Sequence, residues 1–200
     1  MQRLRQRICE QGLVLSDRVL KVDSFLNHQV DPALISEIGK TMAERYRHEG
    51  ITKVMTIEAS GIHIAFAVAS VLGVPFVYGK KKKATTQSDE LYRRSVYSYT
   101  RQETYEITVS KPFLSVADTV LIVDDILAEG AALNGLIGIV HDAGARLAGV
   151  SVVIEKSFQS GRKTLDDAGI PVYALARISK MSPETGVEFV HENDEEAVVR

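Results

Sequence analysis

The stretch Val120-Leu-Ile-Val-Asp-Asp-Ile-Leu-Ala-Glu-Gly-Ala-Ala132 constrains the fold more tightly than any other part of the chain. Its first half is an apolar, mostly β-branched run, the pattern of a strand buried on both faces of a parallel sheet. Two adjacent acids, Asp124 and Asp125, end that strand. A turn of small residues follows and opens an apolar-periodic helix from about Ala131 through Ile137 to Val140. Strand, turn and helix in this order form the repeating unit of open α/β sheets. Such sheets take their ligands beyond the carboxyl ends of the strands.

The same rhythm runs through the rest of the chain. Residues 51–57 read as a strand, 58–61 as a turn, 62–72 as a helix stopped by Gly73, and 74–78 as a strand. After the acid-bearing unit come a strand over 147–154, a helix over 161–168 with Gly169 behind it, and a last core strand over 172–176. Ahead of these, residues 2–10 form a short helix. Asp31-Pro32 opens another, with an acid at the N-cap and proline at N1. Its stripe of Leu34, Ile35, Ile38, Met42 and Tyr46 has helical spacing, and Gly50 closes it. The expected fold class is therefore α/β, a doubly wound, mainly parallel sheet, in a single domain over 1–200. Two stretches break the rhythm. Residues 79–112, rich in Lys, Thr, Ser and Tyr, read as a long excursion or β-ribbon leaving the sheet. The stretch after Ser182 reads as a polar, acidic tail with a loose end.

Composition removes several function classes. A net charge of -2 exerts no global pull on nucleic acid or an anionic membrane. The lone Cys9 allows neither an internal disulfide nor a cysteine-based zinc site, and the five histidines are dispersed without metal spacing. No run of about 18 apolar residues is present, and the basic N-terminus lacks the apolar core of a secretory signal. A cytoplasmic protein is expected, with neither nucleic acid nor membrane as partner.

The acid pair and its turn carry the chemistry. A helix-opening turn presents backbone N–H groups to an anion such as phosphate. Acids just ahead of it would repel that phosphate unless they hold sugar hydroxyls or a metal, so the combination points to a ribose 5-phosphate site. Surface acids capping a helix would give the same dipeptide. The small residues Ala128, Gly130, Ala131 and Ala132 favour the binding reading, because they let the backbone approach an anion closely. Glu58, Ala59, Ser60 and Gly61 end the 51–57 strand on the same sheet edge. Bare amides there suit a second anion, whereas Ser60 alone also fits a helix cap. The run Lys80-Lys-Lys-Lys83 follows the 74–78 strand, either as a solvated loop or as charge for that anion.

This run of residues resembles the phosphoribosyl-pyrophosphate signature of the type I phosphoribosyltransferases. The resemblance implies that Asp124 and Asp125 hold the ribose hydroxyls and that Ala128, Glu129, Gly130, Ala131 and Ala132 cradle the 5′-phosphate. It further implies that Ala59, Ser60 and Gly61, with Lys80 and Lys81, meet the pyrophosphate. Glu58, Asp124 and Asp125 become the candidate catalytic residues. One departure stands out: the family's turn usually carries a threonine or serine hydroxyl where this chain has Ala131 and Ala132. Residues 12–29 and 154–159 resemble those of the bacterial members that act on xanthine. That narrower likeness implies a hood contributed by residues 1–35, a flexible loop over 79–112, and a base site of Leu20, Asn27 and Lys156. It implies xanthine and phosphoribosyl pyrophosphate as substrates, magnesium arriving with the pyrophosphate rather than on a dedicated protein site, and a homodimer. Two alternatives remain open on the residues alone: a non-catalytic sensor of phosphoribosyl pyrophosphate with the same fold, and transfer to another purine.

Overall fold

A computed structural model describes residues 1–81, 90–98 and 102–191. The chain opens with α1 (Gln2–Gln11), the short strands β1 (Leu13–Val14) and β2 (Leu20–Lys21), a π-helical turn over Asp23–Asn27, and α2 (Pro32–Arg45). Then follow β3 (Lys53–Ile57), α3 (Ile62–Leu72), β4 (Phe76–Gly79), β5 (Leu91–Ser98) and β6 (Glu103–Ser110). The remainder comprises β7 (Thr119–Leu127), α4 (Ala131–Asp142), β8 (Arg146–Lys156), α5 (Ser160–Asp167), β9 (Val172–Ser182) and β10 (Gly186–Phe189). The start of α2 is as the dipeptide Asp31-Pro32 predicts. The Asp31 carboxylate accepts from the N–H groups of Ala33 and Leu34 at 3.0 and 3.1 Å, satisfying two donors the helix itself leaves unpaired.

Six strands form one sheet in the order β10-β9-β8-β7-β3-β4. All neighbours are parallel except β10, which runs antiparallel to β9. From β3 the chain steps through α3 to β4, toward one edge. From β7 it steps through α4 and α5 toward the other. Right-handed crossovers moving in opposite directions place their helices on opposite faces. The core accordingly has two halves. On one face Leu34, Ile38 and Met42 of α2 meet Ile64 and Val68 of α3 over Leu121 and Val123 of β7. On the other, Leu133, Leu136 and Val140 of α4 cover Val120 and Ile122 of the same strand. This alternation explains why β7 reads as an unbroken apolar run.

Two expectations need correction. The stretch after Ser182 is not wholly a tail. It supplies β10, whose Val187 and Phe189 pack on the α1–α2 half of the core, and β9 itself runs on to Ser182. The polar spacing between these two residues hid a short edge strand; residues 192–200, where the loose end was expected, lie outside the described residues. The 79–112 span is also too broad for a flexible loop. Its described parts are an antiparallel ribbon, β5 with β6, that returns to the sheet where Lys80 and Thr108 exchange backbone hydrogen bonds at 3.0 and 2.9 Å. Val96, Ile107 and Val109 are buried with the α4 core, and Arg94 donates to Asp142 at 2.5 Å. Tyr99 and Thr100, and Lys82 and Lys83 of the lysine run, lie outside the described residues. Among the described residues, no helix is long and apolar enough to cross a membrane.

If the ribbon is seated on α4 as described, Ile107→Ala will lower the unfolding free energy by about 2–5 kcal/mol in urea titrations, the usual cost of emptying a fully buried Ile site. A loss of only a few tenths would mean that the ribbon contributes nothing to the folded core.

Candidate functional site

The strand order reverses between β3 and β7, so the crossovers leave these neighbours in opposite directions and open a crevice beyond their carboxyl ends. The loops that meet there follow β3 and β7, and β8 ends beside them. The acid pair does not terminate its strand as expected. β7 continues to Leu127, which is in register with Glu155 of β8. Asp124 and Asp125 are thus built into the sheet, only 5% and 9% exposed.

Burial dominates the behaviour of Asp124. Removal from water pushes its carboxyl well above the usual 3.8, and the neighbouring Asp125 charge pushes it further. The N–H of Asp125, donating to Asp124 Oδ1 at 3.0 Å, and the Lys81 charge oppose the rise. The loop after β3 comes in against this carboxylate. A Cβ on Gly61 would lie 1.8 Å from Thr56 Oγ1 and 3.1 Å from Asp124 Oδ1, so only glycine allows the approach. Asp125 acts on two other groups. Its charge favours the protonated forms of His63 and Lys156, while burial lowers both pKa values and is the larger effect in each. Nε2 of His63 and Oδ1 of Asn27 are buried and lack a hydrogen-bond partner.

Past β7 the chain turns on Gly130, whose φ of 78° is left-handed, and enters α4 with no side-chain cap. The first N–H groups of α4 are thereby left to a ligand or to water, which the small side chains of Ala131 and Ala132 do not obstruct. The Glu129 carboxylate is held by two donors, Arg18 from the β1–β2 connection and Ser160 at the start of α5. Gly161 N–H donates to Ala128 O at 3.0 Å and ties the turn to α5.

A cavity of ≈ 620 Å³ brings together Asp124, the turn from Ala128 to Ala132, Lys156, Arg18 and Tyr105. Other predicted site residues lie off its wall. The Glu58 carboxylate accepts from Lys81 N–H at 2.6 Å and so braces the loops after β3 and β4 against each other. Ser60 does not cap α3; Gly61 holds that position, with Ala59 and Ser60 in the turn before it. The Lys80 and Lys81 ammonium groups sit over the rings of Tyr78 and Tyr105, at 6.0 and 5.7 Å. Tyr105 lines the cavity, so Lys81 neighbours a residue of its wall, and its charge reaches Asp124. Leu20 is buried in the core with Val22 and Phe25, and Asn27 ends the π-helical turn. Lys156 Nζ donates to the Arg18 carbonyl at 2.6 Å, which puts the N-terminal hairpin directly over it.

Three residues had no assigned role in the sequence. Arg18 lines the cavity from a segment far from the acids. His63, one of the five dispersed histidines, feels the charge of Asp125; its position in the first turn after Gly61 is the only local signal. Glu155 is fully buried, bonded to Arg162 at 2.8 Å, Arg177 at 3.1 Å and Ser157 Oγ at 2.6 Å. An acid at the end of an apolar strand hints at such a partner set, but its arginines come from separate elements.

The raised pKa of Asp124 sets a pH dependence. The folded chain keeps this proton to higher pH than the unfolded chain does, so stability is lost as pH rises from 3.8 through the folded value. Asp124→Asn retains the oxygen that accepts from Asp125 and removes the buried charge. It will therefore raise the urea midpoint at pH 7 and raise it much less near pH 4; equal gains at both would contradict the assignment.

Comparison with known proteins agrees with this geometry. The phosphoribosyl transferase domain family matches residues 26–171. The chain is 60% identical over 192 residues, 96% of its length and 97% of the relative's, to a xanthine phosphoribosyltransferase of Brevibacillus brevis. It is 53% identical to one from Listeria innocua, over 92% of this chain and 96% of that one. Among solved structures, the adenine phosphoribosyltransferase of Trypanosoma brucei superposes with a TM-score of 0.75 at 18% identity, covering 98% of this chain and 92% of that one. That of Rhodothermus marinus gives 0.73 at 24%, covering 89% and 100%. At these identities the structures speak for the fold. Residue by residue and strand by strand, the chain belongs to the phosphoribosyltransferase family.

Proposed function

We propose that the protein transfers the 5-phosphoribosyl group of phosphoribosyl pyrophosphate to N9 of xanthine, releasing xanthosine 5′-monophosphate and pyrophosphate in purine salvage. The observation that carries this reading is the placement of Asp124, the uncapped turn before α4 and the Lys156 ammonium around one cavity. The high identity to relatives named for xanthine supports the choice of base. In this reading Asp124 and Asp125 hold the ribose hydroxyls. Backbone N–H groups from Ala128 to Ala132 take the 5′-phosphate, and Ala59, Ser60 and Gly61, with Lys80 and Lys81, receive the leaving pyrophosphate. Glu58 acts through the loop it braces.

Lys156 is the specificity group. An ammonium only donates, so it matches a 6-oxo oxygen and leaves the amino group of adenine unmatched. Leu20 and Asn27 complete the proposed base site from the N-terminal segment, Asn27 with a buried oxygen that has no donor. The carboxylates of Asp124 and Asp125 are hard oxygen donors and fit a magnesium ion carried in by the pyrophosphate; that ion, when bound, neutralises charge on the leaving group. The chain's own contribution is to align the ring nitrogen with the anomeric carbon and to exclude water from the activated sugar. We further propose a single domain working as a homodimer in the cytoplasm, with residues 1–35 as the hood over the base.

Incubation with phosphoribosyl pyrophosphate, magnesium and each purine in turn tests the reaction. Xanthine should yield nucleotide fastest; no product with any base would make the protein a sensor instead. Lys156→Gln should raise KM for xanthine about tenfold or more while changing KM for phosphoribosyl pyrophosphate far less. Equal losses would remove Lys156 from the base site.

A further inference from the structure

The turn assigned above to the 5′-phosphate holds no cation, and it holds an anion. Residues 128–132 read Ala-Glu-Gly-Ala-Ala, without even a hydroxyl to add to the backbone N–H groups. A phosphate approaching this turn would meet the charge of Glu129. The structure shows where that charge goes. One carboxylate oxygen takes the Arg18 guanidinium, and the other takes the Ser160 hydroxyl.

Arg18 reaches the turn from 111 residues away in sequence and lines the same cavity. Two features make it more than a tie. Its backbone is anchored separately, through the carbonyl that accepts from Lys156, so the side chain can change partner without releasing that contact. The Arg18 side chain is also 63% exposed, and ion pairs of that kind are weak and readily exchanged. A guanidinium binds carboxylate and phosphate in the same forked manner, and favours the more highly charged partner.

We propose that Arg18 is the cation missing from the phosphate turn. When a sugar phosphate enters, the guanidinium leaves Glu129 and pairs with the phosphate, while Ser160 retains the Glu129 carboxylate. Glu129 is thus an internal competitor that holds Arg18 poised over the turn. The inference rests on reading residues 128–132 as the phosphate turn.

The sign of two substitutions tests it. If the pair only fastens the hairpin, Arg18→Gln and Glu129→Gln break the same contact and both weaken ligand binding. If the pair exchanges, they act in opposite directions. Calorimetric titration with ribose 5-phosphate should show Arg18→Gln binding about ten- to a hundredfold more weakly than the unmodified protein, and Glu129→Gln binding more tightly. Arg18→Lys, which restores charge without the fork, should fall between. KM for phosphoribosyl pyrophosphate should move in the same senses. Loss of affinity in both Gln variants, or no change for Arg18→Gln, overturns the inference. If those results come from protein that still forms nucleotide from xanthine, the proposed function survives them. If the unmodified protein neither binds ribose 5-phosphate nor forms nucleotide, both readings fall.

Discussion

Because β3 pairs with β4 on one side and β7 on the other, the chain must leave the carboxyl ends of β3 and β7 in opposite directions, and no crossover covers the gap between them. Two carboxylates are built into the floor of that gap. Burying Asp124 beside Asp125 works against folding wherever Asp124 is ionised, since lost hydration and the like charge of its neighbour both raise its pKa. The sheet tolerates this because the apolar residues just before them, Val120 to Val123, are packed on both faces by α2–α3 and by α4. Strain of this kind collects where a ligand is to be held, and a sugar's hydroxyls or a cation would relieve it.

The rim of the site is held by contacts between elements far apart in the chain. The buried Glu155 gathers Arg162 from α5 and Arg177 from β9, fastening α5 at the end of β8. A buried ion pair adds little net stability against an apolar replacement; what it supplies here is position. It keeps the start of α5 where Gly161 can bond Ala128 and Ser160 can bond Glu129. The same strand end carries Lys156, so the group proposed to read the base and the turn proposed to hold the phosphate share one support. On the remaining side the N-terminal hairpin meets the site, with the Arg18 carbonyl on Lys156 and its side chain on Glu129.

Most of the architecture was legible before any coordinates. Alternating apolar runs and glycine stops placed β3, α3, α4, β8 and α5 to within a few residues, and Asp31-Pro32 marked the start of α2. The failures share one cause. β10 has too short a pattern to stand out; it forms because Val187 and Phe189 find the α1–α2 core. The ribbon itself was legible as an alternative, but Val96, Ile107 and Val109 are too sparse to reveal that α4 waits beneath them. Only pairing with β8 carries β7 past its acids.

The linear order of residues determined the repeating strand–helix unit, the acid pair and the glycine-centred turn, because these depend on contacts between near neighbours and on backbone freedom. From that alone came the sheet, the edge on which a ligand would bind, and the resemblance to phosphoribosyltransferases. Tertiary structure decided which groups act on one another: that the Asp125 charge reaches His63 and Lys156, that Glu58 braces the lysine loop, and that Arg18 meets Glu129. Those are long-range electrostatic and hydrogen-bonding choices, fixed only when the sheet order and the folded-back N-terminus bring separate segments within a few ångströms.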